Sequence, residues 1–192
     1  MGIMYEDDGF TAEDFHNIGL GCALEAFKEV DEIVDLINNL SNSIQDERQH
    51  EIVSERFKFV LDLYQEQPHL LDPHLERLLS ILVDQVRSVK PAIGPTGDDV
   101  TAIASNQNPL LNASCQMMGH IIKVRGPKVV VRYLPHEVAD LNMVVDLLQN
   151  VATVTETWET RYVLLLWLAI IVLIPFNMGR FDSGERAPLA DR

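Results

Sequence analysis

From residue 162 to residue 174 every side chain is aliphatic or aromatic, and no ionisable side chain lies between Arg161 and Arg180. A helix through this run is apolar on all its faces, and such a helix has to be buried. The stretch 158–176 is therefore expected to be the element around which the rest of the chain is organised. A bilayer-crossing helix takes roughly 20 apolar residues. Residues 162–174 reach only about 20 Å at about 1.5 Å each, and Pro175, Asn177 and Gly179 follow. The run is expected to be a core helix, with a tail anchor over 162–178 as the alternative.

The remaining apolar residues fall on helical spacing in several blocks. Thr11, Glu13 and Asp14 open a helix with Phe15, Ile18, Cys22 and Phe27 inside, running on through Ile33, Leu36 and Ile37. A second starts near Asp46, turns Ile52, Phe59, Val60 and Leu63 inward, and stops at Gln67 before Pro68. Asp72 and Pro73 read as an N-cap followed by proline at the first helical position. Leu75, Leu78, Leu79, Leu82, Val83 and Val86 then form a single stripe with Glu76, Arg77, Asp84 and Arg87 outside it.

Residues 91–109 are rich in proline, glycine and small polar residues, and are expected to be an exposed loop. Pro109 reopens a helix whose core face is Leu110, Leu111, Cys115, Met118, Ile121, Ile122 and Val124, closed by Gly126 and Pro127. Residues 129–134 open with three β-branched valines and could form a strand, yet Pro135 follows and no partner strand is available, so a short helix is expected. A further helix spans 140–151, and Thr155 or Thr157 caps the apolar run. Residues 180–192 read as a frayed tail. The expected architecture is all-α: antiparallel helix pairs of the HEAT/armadillo-like α-solenoid type over residues 1–179.

The chain's chemistry is sparse. A net charge of −14 argues against a phosphate-backbone ligand, whose binding needs clustered Lys and Arg. Cys22 and Cys115 have no metal-ligand spacing. The acidic N-terminus offers no export signal, so the two Asn-x-Ser sequons at Asn39 and Asn112 carry no weight. His69 and His74 flank Asp72, but the helix start already accounts for Asp72, and no fourth donor is near in sequence. Residues 93–99 look like a phosphate loop without the lysine one needs. His120 reads as a helix-edge residue rather than a base, and Trp158 and Trp167 as core. No catalytic residue, metal site or cofactor is expected. Lys123, Arg125 and Lys128, with Arg132, make the one cationic cluster. Cations at a helix C-terminus complement its dipole, and the same four residues are the candidate partner-binding surface.

Four blocks carry a resemblance. They are the segment from Tyr64 to Glu76 containing Gln67, Pro68, His69, Asp72 and Pro73; Lys123-Val124-Arg125-Gly126; Leu134-Pro135-His136-Glu137-Val138-Ala139-Asp140; and Trp158-Glu159-Thr160-Arg161-Tyr162, continuing through Trp167 to Pro175-Phe176. In that order they resemble the N-terminal region of the tubulin-folding cofactor D family, also called tubulin-specific chaperones D. The resemblance implies a helical solenoid and a non-enzymatic, cytosolic, cytoskeleton-associated role. In that role β-tubulin is captured during assembly of the α/β-tubulin heterodimer, together with cofactors C and E and an Arf-like GTPase. Any GTPase-activating effect on tubulin would belong to the assembled cofactors. Members are longer than this chain, which the resemblance marks as a fragment, a truncated form or a short variant.

Overall fold

The computed structural model describes residues 24–89, 108–151 and 157–174. Residues 11–23 of the expected N-terminal helix, the tail 180–192 and nearly all of the loop 91–109 lie outside them, and the described part of that helix begins only at Val30, with Phe27 in the non-helical segment before it. Eight α-helices occur among the described residues: α1 (Val30–Asn38), α2 (Leu40–Ser43), α3 (Glu47–Asp62), α4 (Asp72–Ser88), α5 (Pro109–Arg125), α6 (Pro127–Val130), α7 (Asp140–Asn150) and α8 (Trp158–Val172). Two 3-10 turns, Pro68–Leu71 and Val131–Tyr133, sit before α4 and after α6. The fold is an all-α, HEAT/armadillo-like solenoid of antiparallel helix pairs, with no β-sheet among the described residues.

Local chemistry sets several helix ends. The Asp46 carboxylate accepts from the backbone N–H of Arg48 at 3.0 Å and starts α3. The Asn108 side chain accepts from the N–H groups of Leu110 and Leu111 and starts α5, with Pro109 inside the first turn. These side chains satisfy donors that a helix start leaves open. Gly126, at φ 95°, ends α5 in a conformation that favours glycine, and Pro127 begins α6 directly. The β-branched stretch after Gly126 is helical, as its lack of a partner strand predicts.

Three expectations need correction. Asp72 does not cap α4: it is the first helical residue, Leu71 precedes it without a side-chain cap bond, and the Asp72 carboxylate is taken by Arg125. Ile52 does not face inward but is exposed, while Phe57, Val60 and Leu61 form the buried face of α3. The third correction concerns the centre of the molecule. The helix that touches most others is α5, which packs on α3, α4 and α8 and buries Leu111, Cys115, Met117, Met118, Ile121, Ile122 and Val124. Helix α8 lies at the side of this layer, against α5 and α7.

Helix α4 buries its whole stripe, Leu75, Leu78, Leu79, Leu82, Val83 and Val86. At about 1.5–3 kcal/mol for each fully buried aliphatic side chain, this seam outweighs any single polar contact in the fold. A polar bridge crosses the same layer. Gln85 of α4 donates to the Ile37 carbonyl at 2.7 Å and accepts from the Ser114 hydroxyl at 3.0 Å, joining α1, α4 and α5. Because Ser114 is fully buried, that partner spares it the cost of an unsatisfied hydroxyl.

Candidate protein-interaction surface

Only one face of α8 is covered by the described residues. Val163, Leu164, Trp167 and Ile171 are buried, and the Trp167 indole N–H donates to the Pro135 carbonyl at 3.0 Å. Thr160, also buried, donates to the Asn112 side chain at 2.9 Å and fixes α8 against α5. The opposite face carries Trp158, Tyr162, Leu165 and Val172, all exposed, with Leu173 just beyond the helix. Their spacing of 4, 3 and 7 residues keeps them on one ridge. An all-apolar helix thus yields a half-covered one here, because a helix at the side of a layer has neighbours on one side alone.

The two tryptophans divide accordingly. Trp167 is core, as its place in the apolar run predicts. Trp158 is not: it is 57% exposed, and its ring lies 6.5 Å from that of Tyr162. The sequence does hold a signal for this, since Glu159 and Arg161 place the first turn of α8 at the water boundary.

Beside Trp158 a cleft of about 160 Å³ opens between α3, α5 and α8, lined by Lys58, Gln116, Gly119, His120, Lys123, Trp158 and Glu159. Gly119 forms part of its floor at the crossing of α5 and the first turn of α8. The His120 Nε2 lies 2.9 Å from an Asp62 carboxylate oxygen. Burial holds the His120 pKa below its ordinary value, with Lys123 and Lys58 acting in the same direction and Asp62 opposing them. The imidazole is therefore a neutral wall of the cleft at pH 7, joined to Asp62 by a hydrogen bond.

The four cations of the candidate surface do not converge on one spot. Lys123 and Arg125 are two residues apart on α5, about 200° around the helix, and they part company. Lys123 is exposed and lines the cleft opposite Lys58 of α3. Arg125 turns to the start of α4, where its Nε and Nη2 donate to the two carboxylate oxygens of Asp72, the second at 2.7 Å. This paired guanidinium holds the Asp72 carboxyl below the usual carboxylate range. Lys128 and Arg132 are exposed beyond Gly126. Lys58 joins Lys123 through the packing of α3 on α5, and no sequence spacing announces it.

The other polar residues singled out by sequence are engaged structurally. His74 packs edge-on against Phe27 with ring centroids 5.8 Å apart, and Asp72 belongs to Arg125. Cys115 is fully buried, and burial raises its thiol pKa. Among the described residues no group of three or more His, Cys, Asp or Glu side chains is placed to hold a metal ion, and no helix is long and apolar enough to cross a membrane. Residues 93–99 lie outside the described residues. The family model described as tubulin-specific chaperone D-like, ARM repeat, matches residues 61–192. No solved structure matches the chain significantly.

Proposed function

The chain belongs to the tubulin-specific chaperone D-like ARM-repeat family, and from that premise we propose that it is a non-enzymatic module that binds β-tubulin and takes part in assembly of the α/β-tubulin heterodimer. The observation that carries this reading is the family match over residues 61–192, which begins in the last residues of α3 and takes in α4 to α8, with every residue lining the cleft except Lys58. In this reading the other participants are tubulin-folding cofactors C and E and an Arf-like GTPase, and the place of action is the cytoplasm, at the cytoskeleton. A GTPase-activating effect on tubulin belongs to the assembly, and no residue of this chain is assigned to it.

The proposed contact surface is the exposed part of the cationic set, Lys123, Lys128 and Arg132, together with the apolar ridge of α8. Arg125 contributes indirectly by fixing the end of α5 to α4. Its guanidinium already has a carboxylate, so a partner would gain little from it. The ridge supports the reading because a contiguous exposed apolar surface marks interaction sites, and a repeat unit depends on what stacks against it.

The test is a pull-down of purified β-tubulin by the full chain, with Lys123→Glu, Lys128→Glu and Arg132→Glu combined as the comparison. Retention by the parent chain and its loss in the triple variant is the expected result. A folded chain that retains neither β-tubulin nor cofactors C or E contradicts the proposal.

A further inference from the structure

Two lysines from different helices meet an exposed indole in the cleft between α3, α5 and α8. At about 160 Å³ the cleft is small against the roughly 300–1,000 Å³ of small-molecule pockets, so it suits one side chain of a partner better than a cofactor. Charge selects the side chain. Lys123 is exposed, and among the described residues it makes no ion pair. Lys58 pairs with Glu55 of its own helix at 3.0 Å, an exposed contact that an incoming carboxylate can replace at little cost.

Negative charge near the cleft comes from Glu159 on the α8 side, from Asp62, hydrogen-bonded to His120, and from Glu55 beside Lys58. The chain's net charge of −14 is spread over the surface and screened beyond about 8 Å at physiological salt, so the charges of the cleft's own lining, Lys58 and Lys123 against Glu159, govern what enters. Trp158, 57% exposed, adds an apolar wall beside the cations. An exposed tryptophan is a common anchor at protein interfaces.

We infer that this cleft docks an acidic peptide segment of a partner protein, one carboxylate held by Lys58 and Lys123 and an adjoining apolar side chain lying on Trp158. This ligand chemistry goes beyond the proposed function, because it holds whichever protein carries the peptide.

The experiment titrates the full chain with a synthetic peptide, acetylated and amidated at its ends, that has three consecutive glutamates followed by phenylalanine. Binding is read by calorimetry and by tryptophan emission, in which Trp158 is the exposed reporter. The expected result is saturable binding that weakens at least about tenfold in the Lys58→Gln/Lys123→Gln double variant, weakens with added salt, and is unchanged in Arg77→Gln, an exposed cation of α4 outside the cleft. A matching peptide with glutamine in place of glutamate is expected to bind at least about tenfold more weakly. Equal binding of the glutamine peptide, retention of affinity by the double variant, or absence of saturable binding each overturns the inference. So does binding that disappears as protein concentration rises, which identifies a second copy of the chain as the occupant. Lys123 is exposed and Lys58 partly exposed, and circular dichroism of the double variant verifies that it folds. Failure with the peptide while β-tubulin is still retained separates this inference from the proposed function.

Discussion

Arg87, at the C-terminal end of α4, donates through Nη2 and Nε to the two carboxylate oxygens of Asp140, at 2.6 and 3.2 Å, where α7 begins. The other end of α4 is held in the same manner, Asp72 by Arg125 of α5. The apolar seam of α4 is thus clamped at both ends by forked ion pairs. Each charge also suits its helix end, the acids at starts and Arg125 and Arg87 in last turns. Asp140 is buried and Arg87 only partly exposed, so this clamp is shielded from water better than a surface pair.

Removing the acid from that clamp leaves a half-buried guanidinium with its weaker neighbours Glu137 and Asp84. Asp140→Ala is expected to destabilise the fold by about 2 kcal/mol, and Asp140→Asn by less, since an amide still accepts one bond. Urea unfolding checks this, with a lower midpoint at unchanged slope.

Trp167 and Trp158 should respond oppositely to truncation. Trp167→Ala removes a fully buried ring and its bond to Pro135, at an expected cost of about 3–5 kcal/mol. Trp158→Ala is expected within about 0.5 kcal/mol of the parent. Thermal unfolding of the two variants decides between this division and a core role for both rings.

Gly119 sits inside α5 without needing glycine's conformational freedom. A Cβ there would lie 3.5 Å from Cβ and Cγ of Glu159, an ordinary contact. Gly119→Ala is expected to stabilise by about 0.5–1 kcal/mol, as alanine lowers the entropy of the unfolded chain and favours helix. A rise of a few degrees in Tm is the expected reading; a fall shows that α5 and α8 cannot yield at this crossing.

Acid should weaken the fold in two windows. His120 has a folded pKa below its unfolded value near 6.5, so below pH 6.5 the unfolded chain binds the extra proton. Stability present above that value is lost as pH falls through the folded pKa. Asp72, also lowered, contributes stability that is present above its unfolded value near 3.8 and lost as pH falls further. Denaturant midpoints across pH 7.5 to 5 should slope less in His120→Gln than in the parent. Asp72→Asn should leave that slope intact and flatten the acid limb.

Cys115 has no exposed surface, and burial disfavours its thiolate. In a Cys22→Ser variant, where Cys115 is the remaining thiol, labelling by a disulfide reagent is expected only at the rate of unfolding. Rapid labelling under native conditions contradicts the packing of α5.

Much of this fold is legible in the chain before any contact is known. The stripe of α4, the start of α3 at Asp46, the proline-led start of α5 and its end at Gly126 depend on residues within one or two turns of each other. Such signals survive in a linear reading. Asp72 shows the boundary of that method: its place before Pro73 reads as a cap, and an arginine 53 residues away claims its carboxylate instead. Ile52 likewise fits the helical period but falls on the side of α3 that no neighbour covers.

The candidate surface was less legible. Lys123, Arg125, Lys128 and Arg132 form one cluster along the chain, yet the helical turn sends Lys123 and Arg125 to different sides. Trp158 looks like core because its neighbours downstream are apolar. Its exposure follows from where α8 lies.

The sequence by itself determined the all-α class, the family, most of the longer helices and the ends that nearby residues set, since caps, periodicity and ordered motifs are local properties. Only the tertiary structure decided that α5 is central, that α8 leaves a ridge uncovered, and that Lys58 stands with Lys123 beside Trp158. The reason is physical: burial depends on which neighbours a face meets, and those neighbours come from segments tens of residues away.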